Sequence, residues 1–168
     1  RRVLFRSARK CKSLKSVIII TSDKCYENIN KNTGYKESDP MGGYDPYSSS
    51  KGCCELLVSS YIRSYFNLKN TPNVASVRAG NVIGGGDWSN DRLVPDTIKS
   101  FKNNQKVIIR NPNAIRPWQH VIEPLYGYLL LAKKLYNDDS FSGGWNFGPQ
   151  EENCLSVQEL IEDRKSVV

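Results

Sequence analysis

Short β-branched runs alternate along the chain with longer stretches in which apolar residues recur every three to four positions. Ser16–Thr21 (SVIIIT) is apolar at consecutive positions and ends in polar Ser22 and Asp23, the pattern of a parallel strand buried on both faces. Val74–Arg78 (VASVR) and Lys106–Arg110 (KVIIR) read as further strands, and Trp145–Phe147 as a short one. From Tyr47 to about Leu68 the period is helical, with Leu56, Leu57, Tyr61, Ser64 and Tyr65 near one face and Pro46 just ahead of the start. Val94–Phe101 predicts a second helix. Ile122–Tyr136 predicts a third, with Leu125, Leu129, Ala132 and Tyr136 on one stripe. Ser156 stands where it would cap a last one. Residues 26–46 contain Gly34, Pro40, Gly42, Gly43 and Pro46 and predict a long surface loop, a length that usually carries function. Strands alternating with helices predict an α/β fold around a parallel sheet.

Composition narrows this little. The 168 residues are 39% hydrophobic and 24% charged, the balance of an ordinary globular domain. The longest aliphatic runs, Val17–Ile20 and Leu129–Ala132, are far below the roughly 20 residues of a membrane helix. The net charge of +7 changes the picture only locally. Seven of the 24 bases lie within residues 1–16, which hold no acid, so 17 bases face 17 acids in the rest. A basic tail could bind a phosphate backbone. A solvated helix face or a boundary artefact is the preferred reading, so no nucleic-acid partner is expected. Arg1–Ser7 (RRVLFRS) and Asp163–Val168 (DRKSVV) resemble translated sequencing adapters, which sets residues 1–7 and 163–168 apart as non-native scars.

The five cysteines, at 11, 25, 53, 54 and 154, form no CxxC pair and fit no zinc framework. They read as reduced thiols used as small core residues, in a cytoplasmic protein without a metal. His120 is the only histidine and reads as structural or surface-lying, which leaves a Ser-His-Asp triad hard to build.

Three clusters carry chemistry. Tyr47 and Lys51 stand at i, i+4, which puts phenol and ammonium on one helix face. A free tyrosine has a pKa of about 10, and bringing it near neutrality needs about 4 kcal/mol of phenolate stabilisation, which a neighbouring cation supplies. Thr21-Ser22-Asp23-Lys24 sits at the carboxyl end of the first strand, where open α/β sheets bind ligands. The third cluster joins Arg78-Ala-Gly-Asn81 and Gly84–Gly86 with Arg116-Pro-Trp-Gln-His120. Glycine backbone and arginine forks suit phosphate oxygens, although a merely flexible glycine loop fits the same letters.

Together TSDKCYEN (21–28), ESDPMGGYDPYSSSKGCCELLV (37–58), RAGNVIGGGDWSNDRLVPD (78–96), RNPNAIRPWQHV (110–121) and WNFGP (145–149) resemble the extended short-chain dehydrogenase/reductase family of nucleotide-sugar enzymes. Within it they are most similar to the branch that dehydrates CDP-glucose. The resemblance implies a partial Rossmann-type parallel sheet with part of a C-terminal substrate-binding domain, and NAD as cofactor. It implies that Tyr47 takes the sugar 4-hydroxyl proton, that Lys51 holds the nicotinamide ribose, and that Ser22 hydrogen-bonds the 4-hydroxyl. Asp23 would protonate the departing 6-hydroxyl. Lys24 stands where dTDP-glucose enzymes have a glutamate as C5 base; a lysine must be neutral to accept a proton, so the identity of that base stays open. Asn81, Arg92, Leu93 and Arg116 would contact the nucleotide diphosphate.

The family's first βαβ unit, with its glycine fingerprint, has no counterpart among these residues. Residues 8–80 would then be the C-terminal half of the NAD-binding domain, and 81–162 mainly a truncated nucleotide-sugar-binding region. The expected activity of the full-length protein is a nucleotide-sugar 4,6-dehydratase acting on CDP-glucose as a homodimer, the fragment alone being inactive. Two alternatives remain: a sugar-nucleotide 4-epimerase, which needs no C6 acid, and a nucleotide-sugar-binding fragment without turnover.

Overall fold

A computed structural model describes residues 2–31 and 33–165. Of the two terminal strings set apart above, Arg1 and residues 166–168 lie outside the described residues. The chain forms two compact units that interleave in sequence. One comprises Arg1–Gly80 with Glu123–Phe147, and the other Asn81–Ile122 with Gly148–Val168.

In the first unit, strands β1 (Ser16–Ile20), β2 (Asn73–Ala79) and β6 (Gly143–Phe147) form a parallel sheet in the order β1-β2-β6. Val17 pairs with Val74 and Ile20 with Val77, while Ser76 faces Gly144 and Arg78 faces Asn146 across β2 and β6. Alternation along β2 separates two faces. Ala75 and Val77 join Tyr128, Leu131 and Leu135 of helix α4 (Ile122–Asn137), with Ile18, Trp145 and Phe147 packed around them. Val74 joins Val58 of helix α2 (Pro46–Tyr61), Phe66, and Phe5 of helix α1 (Arg2–Lys10). The same face continues through Ser76 and Arg78, which meet Glu55 of α2. Val58 thus lies over the start of β2 and Glu55 over its end, so α2 runs against the strands. Its N-terminus points to the carboxyl end of the sheet, the side on which open α/β sheets bind ligands.

The second unit is built from shorter pieces. Strands β3 (Val82–Ile83) and β5 (Gln119–His120) pair in parallel, and β4 (Ile115–Arg116) pairs antiparallel with β7 (Leu155–Ser156). Helices α3 (Leu93–Lys102) and α5 (Val157–Lys165) complete it. Ser156 caps α5 as predicted: its hydroxyl accepts from the Glu159 amide at 3.1 Å, and Glu159 Oε2 accepts from the Ser156 amide at 2.8 Å. The two bonds form a capping box.

Four expectations change. Lys106–Arg110 finds no partner strand and stays irregular, with Ile108 89% exposed. Of the face predicted for helix α2, Leu57 and Tyr61 pack against the core, but Leu56 is exposed and the buried positions are Ser48, Gly52, Glu55 and Val58. Helix α4 buries Pro124, Tyr128, Leu131 and Leu135, leaving Leu125, Leu129 and Tyr136 outside. Phe5, inside the string set apart as a scar, occupies a place in the core beside Val58, Phe66 and Val74. No helix among the described residues is long and apolar enough to cross a membrane.

Candidate functional site

After β1 the backbone turns at once. Ser22 is extended and caps a 3-10 turn, Asp23–Cys25, its hydroxyl oxygen accepting from the Lys24 amide at 3.3 Å. The same hydroxyl donates to Asp23 Oδ1 at 3.0 Å, and Lys24 Nζ lies 3.0 Å from Asp23 Oδ2. A strand would send neighbouring side chains to opposite faces. The turn instead brings Ser22, Asp23 and Lys24 into one hydrogen-bonded chain. Cys25 points inward and is fully buried, and burial pushes its thiol up to about 12.

Tyr47 and Lys51 stand on the first turns of α2. Asp45 caps that helix, accepting from the amides of Tyr47 at 2.9 Å and Ser48 at 3.1 Å, with Pro46 at the first helical position. The Ser48 hydroxyl and these amides hold the Asp45 carboxyl below its ordinary range. Tyr47 is 57% exposed, and among the described residues no hydrogen bond engages its phenol. Lys51 Nζ lies 5.2 Å from the centroid of the Tyr47 ring, so the pair does share one face.

Glycine lets α2 reach the turn. A Cβ at Gly52 would stand 2.5 Å from the Gly42 carbonyl oxygen and 3.3 Å from that of Cys25. At Gly43, with φ of +153°, a Cβ would meet the Ser49 amide at 2.1 Å. The loop before α2 thus lies directly on the start of the helix, and α2 directly on the turn. The two catalytic candidates groups, Ser22–Lys24 and Tyr47–Lys51, belong to elements in contact.

Behind them lies a buried polar network that the sequence reading missed. Glu55, one helical turn after Lys51, pairs with Arg78 at 2.7 Å, accepts from Ser76 Oγ at 2.7 Å and is hydrogen-bonded to the Thr21 hydroxyl. Arg78 Nη1 donates to the Tyr26 phenol at 2.6 Å, and that phenol donates to Asn146 Oδ1 at 2.6 Å. Asn146 in turn fastens the loop, its side-chain amide donating to the Tyr35 carbonyl and its backbone amide to Glu37. Burial works against a carboxylate at Glu55, yet hydrogen bonds from Arg78, Thr21 and Ser76 hold its carboxyl below the ordinary range. Burial likewise opposes the Arg78 charge, and Glu55 outweighs it, so the guanidinium stays protonated. Arg78 is therefore occupied and not a free phosphate fork. A glutamate on a face of small residues, opposite an arginine in an apolar strand, was the available signal.

The remaining candidates lie in the second unit. Asn81 gives its carbonyl to the Gln119 amide at 3.1 Å, which sets it at the mouth of the β3–β5 pair. Arg116 is half-buried on β4, donating to the Ile115 carbonyl at 3.1 Å. Exposed Arg92 stands at the N-cap of α3 without capping it, and Leu93 begins that helix. In the glycine loop, a Cβ at Gly85 or Gly86 would meet no atom within 4 Å. His120 Nδ1 accepts from the Ile122 amide at 3.2 Å, a local role. Among the described residues no three His, Cys, Asp or Glu side chains cluster as metal ligands.

The family model for the NAD dependent epimerase/dehydratase family matches residues 1–143. The chain belongs to that family. It is 54% identical over 164 residues to a CDP-glucose 4,6-dehydratase of Salmonella typhimurium, covering 95% of this chain and 46% of that protein. It is 26% identical to a dTDP-D-glucose 4,6-dehydratase of Bos taurus, covering 95% and 42%. The chain thus spans somewhat under half the length of these curated relatives. Among solved structures, a dTDP-glucose 4,6-dehydratase of Bacillus anthracis in complex with NAD superposes with a TM-score of 0.80 at 20% identity, over 98% of this chain and 49% of that one. A UDP-N-acetylglucosamine 4-epimerase of Methanobrevibacter ruminantium gives 0.79 at 24%, over 98% and 50%. These likenesses show the fold, the expected partial Rossmann-type α/β sheet.

The residues present fit part of an NAD site. The Tyr47 phenol is unengaged, and the Lys51 ammonium joins no ion pair among the described residues. The two are free to meet a ribose and its nicotinamide. The glycine fingerprint that would cradle the pyrophosphate is not among the residues of this chain.

Proposed function

We propose that this chain is the catalytic half of an NAD-dependent nucleotide-sugar 4,6-dehydratase, with CDP-glucose as the substrate. The observation that carries the reading is the Ser22-Asp23-Lys24 turn, a hydroxyl, an acid and an amine linked by hydrogen bonds, against the helix of Tyr47 and Lys51. The 54% identity to a CDP-glucose enzyme supports the choice of sugar nucleotide.

When bound, NAD would take up the hydride from C4 and return it to C6 after water has left, so the reaction needs no outside oxidant. The Tyr47 phenolate accepts the 4-hydroxyl proton, and the Lys51 ammonium beside it stabilises the charge. Ser22 hydrogen-bonds the same hydroxyl. The resulting 4-ketone acidifies the proton at C5, which a base removes as water leaves across C5 and C6. Asp23 takes a proton from the Lys24 ammonium across their 3.0 Å pair and passes it to the departing 6-hydroxide, which leaves as water. Lys24, paired with Asp23, either takes the C5 proton or orients the sugar. Asn81, Arg92, Leu93 and Arg116 are assigned to the nucleotide diphosphate, and the full-length protein to a homodimer.

The test is Asp23→Asn in the full-length protein. Redox at C4 should persist while water loss slows about 100-fold or more. Near-ultraviolet absorbance of the reduced nicotinamide should then build up. Lys24→Ala should show the same build-up if Lys24 is the base, and weaker substrate binding without it if Lys24 orients. Elimination at the parent rate in the Asn variant would sink the acid role, and a 4-epimer as product would make the protein an epimerase.

A further inference from the structure

The Asp23–Cys25 turn has little to hold it in place by itself. It is a single 3-10 turn, a geometry with poor internal hydrogen bonds. Its two polar side chains bond to each other and to Ser22, at partly exposed positions. Chemistry that needs both of them requires tighter placement, since a displacement of about 1 Å costs about 100-fold in rate.

The placement comes from the flanks. On one side Thr21 is hydrogen-bonded to Glu55 and lies 3.1 Å from the Val77 carbonyl. On the other, Tyr26 closes the turn and hangs between Arg78 and Asn146, both at 2.6 Å. Its ring stacks on Tyr35 with centroids 5.1 Å apart. Both flanks thus end on one buried ion pair, Glu55–Arg78. Glu55 belongs to α2, one turn beyond Lys51, so the same pair also fixes the helix. Strand β6 makes room for it: a Cβ at Gly144 would stand 2.2 Å from Arg78 Nη2.

We propose that the Glu55–Arg78 pair is a positioning clamp that holds the Asp23–Lys24 turn at Thr21 and Tyr26 and locks it to the helix carrying Tyr47 and Lys51. What the turn does rests on the dehydratase reading; the clamp itself does not. Thr21, Tyr26, Glu55 and Arg78 are positioning residues.

The test uses Tyr26→Phe and Thr21→Val in the full-length protein, each of which removes a single hydroxyl, with Thr21→Ser as the variant that restores one. The amides of Lys24, Cys25 and Tyr26 are bonded within the turn and report on it through hydrogen exchange. The clamp requires their exchange to speed up about tenfold or more in Tyr26→Phe and Thr21→Val, while the α2 amides hold. Thr21→Ser should exchange like the parent. In turnover, kcat should fall about tenfold or more with KM within about twofold, and reduced nicotinamide should build up. Unchanged exchange at residues 24–26 would overturn the clamp whatever the activity. Faster exchange with unchanged kcat would overturn its role in positioning, as would loss spread evenly over the whole fold. A parent enzyme that does not dehydrate nucleotide sugars would sink the proposed function, and the exchange measurement would still decide the clamp.

Discussion

Tyr47 is exposed, its ring centroid lies 5.2 Å from the Lys51 ammonium, and among the described residues no hydrogen bond engages its phenol. Tyr47→Phe should therefore leave stability within about 0.5 kcal/mol of the parent, the range of surface substitutions without special contacts. In the full-length protein it should lower turnover by about 100-fold or more, because in the proposed mechanism the variant loses only the proton acceptor. Calorimetric binding of CDP-glucose should barely change. Turnover within tenfold of the parent would assign the proton to another residue. The neighbouring residues were unevenly legible. The i, i+4 spacing placed Tyr47 and Lys51 on one face, and the SVIIIT run ended the strand within one residue of Ile20. Nothing in TSDK foretold the 3-10 turn after it, which lets Asp23 and Lys24 face each other.

Helix α2 shows why element faces were harder to read than element positions. Its start was legible from Pro46 and the apolar period, whereas the α-helix stops at Tyr61 and continues as a π-helical turn, Ile62–Phe66, short of the expected Leu68. Its buried face was legible only in part: Leu57 and Tyr61 pack against the core as expected, but the fully buried positions are Ser48, Gly52, Glu55 and Val58. Hydropathy ranks Leu56 above Glu55, yet Glu55 has Arg78, Ser76 and Thr21 waiting for it. Lys106–Arg110 failed differently: β-branched residues favour a strand, but a strand needs a neighbour. The buried pair gives α2 a pH signature. The Glu55 carboxyl is held below its ordinary range, so the pair contributes stability in full above the unfolded value of about 4.3. That contribution is lost as pH falls through the lower, folded value. Glu55→Gln should remove this part of the acid lability, flattening thermal stability below about pH 4.3. It should also cost about 3–5 kcal/mol at neutral pH, since Arg78 is left buried without a counter-charge. Thermal unfolding from pH 3 to 7 reads both effects, and a variant as acid-sensitive as the parent would remove Glu55 as the source.

At the scale of the molecule, the sheet of the first unit is left open. β1 lies at its edge and among the described residues pairs only with β2, and Ile20 at its end is 56% exposed. Helix α4 covers the sheet with one face and leaves Leu125, Tyr126, Leu129 and Tyr136 outside on the other. An exposed apolar edge strand templates association with other chains. The curated relatives have roughly twice this length. The 168-residue chain expressed alone should therefore associate at micromolar concentration and melt without a sharp transition. It should not bind NAD tightly, because the proposed contacts of Tyr47 and Lys51 reach only the ribose end and no glycine fingerprint stands among these residues for the pyrophosphate. Sedimentation velocity, a thermal scan and a calorimetric titration with NAD measure the three properties. A monomer that unfolds cooperatively and binds NAD tightly would show that this half of the sheet is complete without neighbours.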